Sequence, residues 1–315
     1  MTARPEVSVV VTTYRAVEHL RCSVRSLLRT ADRSGIEIAI WGDGGGEASR
    51  EAIHRSAEEL RTAGFRVAAR YEAENAGIPR ALNRACALAS GRWLFVVNDD
   101  MAFPARWWEM ARGLLRPGRV LSTSAVEAPV PGRRTASCFR EADLGSDPAS
   151  FDVRRIDDFQ DSLAPRALEP GVNYPFYVER ERFLAIGGAD ERFPGPYHDP
   201  DLFLRLKLAG AELVRAGHLV VYHFSGASLR FGAGEAGGER RQTLEWVLRE
   251  NEARLRFVRK WGAKPATPFG HVPRTRAREP WEGRPHGPVE TLRYHGLLGW
   301  ERFRAAVREA RYRAR

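Results

Sequence analysis

The sequence predicts an α/β fold: a mostly parallel sheet flanked by helices, with a C-terminal helical extension. Three observations carry that expectation. Short apolar, β-branched runs recur through the first third of the chain, at Val7–Val11, Ile36–Trp41, Phe65–Tyr71 and Trp93–Val97. Segments with apolar residues at helical spacing separate them. Strands that alternate with helices need crossover connections, and crossovers build parallel sheets.

The elements follow in order. Val7-Ser8-Val9-Val10-Val11 suits a strand buried on both faces, and Thr12, Thr13 and Tyr14 follow it as a loop. Leu20, Val24, Leu27 and Leu28 mark the first helix. The second strand ends in Gly42-Asp43-Gly44-Gly45-Gly46, and Ile53, Ala57 and Leu60 mark the next helix. After the third strand, Ala81, Leu82, Ala85, Leu88 and Ala89 give a helix stopped by Gly91. The fourth strand runs without a break into Asn98-Asp99-Asp100. From Arg119 to Asn173 prolines and charges interrupt the pattern, which predicts variable loops over a site. Leu202–Leu208 is helical, Leu213–Phe224 is a strand with a turn at Ala216-Gly217, and Leu244–Trp261 is a long helix. Residues 263–288, rich in Pro, Gly and Arg, read as an extended linker. Trp300, Phe303, Val307 and Ala310 form an apolar stripe on a last, basic helix. The expected division is a folded domain over 1–262 and an extension over 263–315.

With 315 residues, 43% of them hydrophobic, the chain can build a substantial core. The net charge of +10 attracts anions, and residues 264–315 contribute strongly, with 12 Lys/Arg against 5 Asp/Glu. That tail reads as a solvated face, as a homodimer contact through Trp300 and Phe303, or as a peripheral contact with an anionic membrane. Nucleic acid is not expected as a partner, because the strands are apolar on both faces and present no aromatics among basic residues. Cys22, Cys86 and Cys138 have neither metal-ligand nor disulfide spacing, so a reduced, cytoplasmic setting is expected. No apolar stretch is long enough to span a membrane, and no signal-peptide pattern opens the sequence.

Burying ionised carboxylates is costly, so adjacent acids at a buried strand's end usually meet water, a cation or a set of donors. In open α/β sheets ligands bind beyond the carboxyl ends of the strands, where Asp99 and Asp100 fall. Such oxygen ligands suit Mg²⁺ or Mn²⁺ bridging to a substrate phosphate. The same two residues also suit a turn or a helix cap. Three further polar loops accompany them: Thr12-Thr13-Tyr14, Asp43 among its glycines, and Tyr197-His198-Asp199-Pro200-Asp201 before an amphipathic segment.

Taken together, these motifs resemble the family 2 glycosyltransferases of GT-A fold. VSVVVTTY at Val7–Tyr14 resembles that family's opening strand and loop. Ile40–Gly45 resembles its Asp-Asp-Gly-Ser element, with Asp43 in the second acidic place, Gly42 where the first Asp is usual and Gly45 where Ser is usual. Glu74-Asn75-Ala76-Gly77 with Ala81 and Asn83 resembles the Asn-x-Gly…Ala-x-Asn segment, and Asn98-Asp99-Asp100 the DXD-type element. Gly187–Phe193 resembles Gly-Gly-Phe-Asp-Glu-x-Phe. His198–Leu202 with Arg205-Leu206 resembles Glu-Asp-x-Asp-Leu…Arg-Leu, with His198 replacing the usual Glu. Tyr222-His223-Phe224-Ser225 and Lys260-Trp261-Gly262 resemble the late elements. The match covers about residues 5 to 262, and order and spacing make it specific.

The resemblance implies a Rossmann-like mixed sheet and an inverting, metal-dependent transfer of sugar from a UDP-, GDP- or dTDP-sugar to an acceptor hydroxyl. The acceptor classes it allows are a glycan, a lipid-linked carrier, a small molecule or a peptide. It implies Asp100 and His223 as ligands of Mn²⁺ or Mg²⁺. Thr12, Tyr14, Asp43, Asn75 and Asp99 would bind the donor, and Asp199 would be the general base. The rival readings are a nucleotidyltransferase, a nucleic-acid-binding protein and a binding-only relative. The first would want a glycine-rich loop after the first strand, whereas Thr12-Thr13-Tyr14-Arg15 has no glycine.

Overall fold

The computed structural model describes residues 4–129, 139–224, 243–265 and 287–314. In chain order the elements begin β1 (Val7–Thr13), α1 (Val17–Leu27), β2 (Ile36–Asp43), α2 (Glu47–Thr62), β3 (Arg66–Glu72), α3 (Ile78–Leu88) and β4 (Trp93–Asn98). Then come β5 (Met101–Ala102), α4 (Trp107–Arg112), β6 (Arg119–Glu127), β7 (Phe139–Glu141), α5 (Arg155–Asp161), β8 (Glu169–Pro170) and β9 (Phe176–Glu179). The chain closes with α6 (Arg180–Ala185), α7 (His198–Leu208), β10 (Glu212–His223), α8 (Leu244–Trp261) and α9 (Pro288–Arg313).

The strands form one mixed sheet in the order β3-β2-β1-β4-β9-β6-β10-β5, with β7 on β6 and β8 on β10. β1, β2, β3 and β4 are mutually parallel, as the alternating pattern predicts. β9 runs antiparallel to both β4 and β6, which makes β6 and β10 parallel to β1 and β4. Side chains alternate across a strand. Val9 and Val11 therefore join Leu20, Ile53 and Phe95 on one face, and Val10 joins Leu82, Leu94 and Leu202 on the other.

The topology positions the site. From β1 the chain winds outward to β2 and β3, and α3 then returns it to β4 on the other side of β1. Strand order reverses between β1 and β4, where open α/β sheets leave a crevice for ligands. Register puts Thr12, Trp41 and Asn98 level across this edge. β5 then turns back against β10 and pairs His223 with Met101, one residue from Asp100.

One expectation needs correction. The stretch from Arg119 was expected as loops, yet β6 is a nine-residue strand buried along its whole length. Ser122, Thr123 and Ser124 hide its apolar pattern, although small hydroxyl side chains fit a sheet interior. The last helix, α9, packs through Tyr294, Leu298 and Glu301, and Trp300 and Phe303 face outward. His218 is buried and accepts from the Arg166 amide, and half-buried His19 stands edge-on to Phe224, with ring centroids 5.5 Å apart. Cys22 and Cys86 are buried free thiols, whereas Cys138, Ser225 and residues 266–286 of the expected linker lie outside the described residues.

Candidate active site

The carboxyl edge of the sheet gathers the end of β4, the first loop, and the ends of β6 and β10. The Ser23 hydroxyl on α1 donates to the Asp99 carbonyl at 2.9 Å, which pins the turn after β4. The Tyr14 amide donates to the Asp99 carboxylate at 3.4 Å, and the Thr13 hydroxyl also bonds it. Burial, and then the neighbouring Asp100 charge, push Asp99 up to about 7 against an ordinary 3.8. Burial would raise Asp100 as well, but the facing His223 imidazole outweighs it and holds Asp100 below its ordinary range.

His223 sits between two carboxylates. Its Nδ1 lies 2.7 Å from Glu127 Oε1, and its Nε2 lies 3.3 Å from Asp100 Oδ1. Burial alone would lower its pKa, yet the two acids carry it up to about 10. Glu127 ends β6 as Asp99 and Asp100 follow β4, and it fixes which ring nitrogen faces Asp100. Reading the sequence for acids at the ends of buried strands would have found it, had the hydroxyls of β6 not concealed the strand. Thr13 was also missed in favour of Thr12. Strand alternation buries Thr13 toward Asp99 and leaves Thr12 half-buried.

Asp43, at the end of β2, is 3% exposed. Its Oδ1 accepts from the Ala76 amide at 2.9 Å, and its Oδ2 accepts from the Gly77 amide at 2.9 Å and Asn75 Nδ2 at 3.1 Å. The carboxylate thus ties the loop before α3 to the sheet. The departures at Gly42 and Gly45 have packing reasons. A Cβ at Gly42 would collide with Ile53 and stand 2.8 Å from Tyr71. At Gly45, φ is +101° and a Cβ would run into the Ser49 hydroxyl.

Asp199 lies in the first turn of α7, whose cap residue is Tyr197 in the left-handed region, with no side-chain cap bond. Asp199 therefore does not cap this helix. Burial raises the Asp199 pKa, partly offset by the adjacent His198. His198 Nδ1 donates to the Gly195 carbonyl at 2.5 Å, and its Nε2 is 3.3 Å from the Tyr174 hydroxyl. Among the described residues Asp199 makes no hydrogen bond to Asp43, Asp99 or Asp100.

Asp201, two residues on, is an anchor. It is fully buried, with Lys260 Nζ at 2.6 Å, Arg205 Nε at 2.9 Å and Trp261 Nε1 donating at 2.8 Å. Lys260 also meets Asp190 at 2.7 Å. Asn83 pairs both its amide atoms with the Ala189 backbone, at 2.7 and 2.9 Å, and a Cβ at Gly188 would collide with it. Arg80 pairs with Glu191 at 2.9 Å.

Asp100 and His223 face each other, and no group of three His, Cys, Asp or Glu that could hold a metal forms among the described residues. A carboxylate with an imidazole held from behind by Glu127 suits an ion that also takes oxygens from a phosphate, since Mg²⁺ and Mn²⁺ need few protein ligands.

The fold and this edge define a GT-A glycosyltransferase architecture. Residues 8–128 match the model of the family described as Glycosyl transferase family 2. No curated protein matches the chain. Among solved structures it is similar to the mannosyltransferase PcManGT from Pyrobaculum calidifontis in complex with GDP-Man and Mn²⁺. That likeness has 17% identity and a TM-score of 0.54, and covers 97% of this chain and 74% of that one. It is also similar to S. aureus TarS 1–349, at 13% identity and a TM-score of 0.51 over 69% of this chain. This chain spans 60% of that TarS chain's length. The TarS form in complex with UDP-GlcNAc gives 14% identity and a TM-score of 0.52 over 80% of this chain and 65% of that one. At these identities the likeness is one of fold.

Proposed function

We propose that this protein transfers a sugar from a nucleoside-diphosphate sugar to an acceptor hydroxyl, with inversion. The observation that carries the reading is the pair of half-buried Asp99 and buried Asp100 at the β1/β4 switch point, with His223 facing Asp100. Neighbours bound to UDP-GlcNAc and to GDP-Man with Mn²⁺ support this donor class.

In this reading Thr12, Tyr14 and Asn75 line the nucleotide pocket, and Asp43 holds the Asn75–Gly77 loop as its wall. Asp99 serves the ribose and sugar side. Asp100 and His223 would hold Mn²⁺ or Mg²⁺, which as a Lewis acid supplies stabilisation for the charge of the departing diphosphate. The acceptor oxygen attacks the anomeric carbon opposite the diphosphate. The bond to the diphosphate breaks with its electron pair leaving on the phosphate oxygen. The acceptor's proton passes to Asp199, and burial that raises the pKa of a carboxylate makes it a stronger base.

Thermal shift against UDP, GDP, dTDP and CDP, each with and without Mn²⁺, tests the donor side. One diphosphate should stabilise the protein only with metal, and Asp100→Ala should abolish the shift. No response to any of the four overturns the reading. Asp199→Asn should keep donor binding and lose transfer, and undiminished transfer removes Asp199 as the base.

A further inference from the structure

The last helix has two apolar sides. Tyr294, Leu298 and Glu301 are buried against α8, and Arg254 clamps Glu301 at 2.5 Å. At 3.6 residues per turn these three share one side of the helix. The opposite side carries Val289, Leu292, Trp300 and Phe303, which are 64%, 77%, 53% and 61% exposed. Gly296 and Gly299 lie between them, and no charged residue of α9 falls within this arc of about a third of the circumference. From Val289 to Ala310 the stripe runs about 30 Å at 1.5 Å per residue.

The charges around the stripe are ordered. At helical spacing Arg293, Arg304 and Arg311 line one margin, and Arg302 and Arg313 line the other. The acids sit away from it. Glu301 is on the inner side, where Arg254 and Arg304 meet it at 2.5 and 3.0 Å, Glu290 lies beside it in the helical projection, and Glu309 is paired with Arg313 at 2.8 Å, so Arg293, Arg302 and Arg311 carry most of the marginal charge. Aromatic and aliphatic side chains bordered by arginines are the pattern of a helix lying in the plane of a lipid interface. No helix among the described residues is long and apolar enough to cross a membrane, so the stripe suits resting on a bilayer rather than spanning it.

We propose that α9 is a docking surface for an anionic lipid bilayer, with Trp300, Phe303, Leu292 and Val289 entering the acyl boundary and the marginal arginines meeting the headgroups. Charge complementarity selects this occupant. In a contact between two copies of the stripe, arginine margins would face arginine margins, with the acids turned inward. An anionic headgroup layer supplies the missing counter-charge.

Co-sedimentation of the full chain with phosphatidylcholine vesicles and with phosphatidylcholine–phosphatidylglycerol vesicles tests the proposal. Binding to the anionic vesicles should exceed binding to neutral ones by at least about tenfold at low salt, and should weaken as salt is added. Trp300→Ser with Phe303→Ser should lower it by about tenfold or more, with the melting temperature unchanged because both side chains are exposed. Arg302→Gln and Arg311→Gln should each lower it about fivefold. Equal binding to both vesicle types overturns the proposal, as does anionic binding that the double substitution leaves intact. An absence of vesicle binding, with a dimer in sedimentation velocity that the same double substitution dissociates, assigns the stripe to self-association instead.

Discussion

Replacing Lys260 with Met tests how the candidate base is held. The Lys260 ammonium is 6% exposed and lies 2.7 Å from Asp190 and 2.6 Å from Asp201. Methionine keeps most of the stem and removes the charge, which lies 5.8 Å from the Phe193 and 5.6 Å from the Trp261 ring centroid. Breaking a buried ion pair by deleting one partner costs about 3–5 kcal/mol, because the other partner stays buried and uncompensated. Here the acids keep other donors, Arg205 and Trp261 on Asp201 and Arg192 on Asp190. The expected loss is therefore at the low end, about 3 kcal/mol. Unfolding entropy of about 2.1 cal/mol/K per residue over 315 residues converts this into a fall in Tm of about 5 °C. Lysine and arginine contacts hold the Asp190 carboxyl well below its ordinary 3.8 despite its burial. A depressed acid contributes stability above its unfolded pKa and loses it as pH falls. The penalty of Lys260→Met should thus be full near neutral pH and shrink below about pH 4. Chemical denaturation of parent and variant from pH 3 to pH 7 reads both quantities. A penalty under about 0.5 kcal/mol, the range of ordinary surface substitutions, or one that does not change with pH, would refute the reasoning.

Gly42→Asp, which restores the family's usual residue, should destabilise by about 1–3 kcal/mol, since its Cβ collides with Ile53; equilibrium denaturation measures this. His223 holds its proton more tightly in the fold, at about 10 against 6.5, so its contribution is full below pH 6.5 and lost toward pH 10. The stability gap between parent and His223→Gln, measured with chelator present, should narrow over that window, and a constant gap would contradict the Asp100 contact. Glu127→Gln should lower the His223 pKa in an NMR titration by removing one of its two anionic partners. Asn83→Ala should cost about 1–3 kcal/mol by stripping both Ala189 backbone groups of their partner, as read by denaturation.

The first half of the fold was legible because β1, β2 and β4 are buried on both faces, and burial writes itself as unbroken apolar runs. Asp99 and Asp100 stood out for the same reason, as charges with no gap after such a run. β6 is equally buried, but sheet-interior serines and threonine read as polar in sequence, so the strand and its terminal Glu127 were lost together. Helical spacing disclosed the stripe of Trp300 and Phe303 but not its direction. Periodicity finds a face, and only the position of α8 decides which face is covered. The spacing of Asp199 and Asp201 was visible, but not their opposite fates, because Lys260 and Trp261 reach Asp201 from about sixty residues away.

Those opposite fates give a physical way to sort the acids of this edge. Asp190 and Asp201 meet Lys260 inside the fold, and their charges are neutralised by the chain itself. They bind the loop after α6, α7 and the end of α8 into one frame. Asp99 and Asp199 are different: burial raises both, and among the described residues no Lys or Arg offsets it. A fold that keeps such carboxylates sacrifices stability at neutral pH, since each would ionise more readily in the unfolded chain. In the proposed reading that cost falls on a group that takes a proton and on one that meets a polar substrate. Much of what resembles a glycosyltransferase in this sequence, from Asn83 to Trp261, is therefore framework. The frame sets Asp199 at the start of α7, and Asp99 stands at the switch point where the strand order reverses.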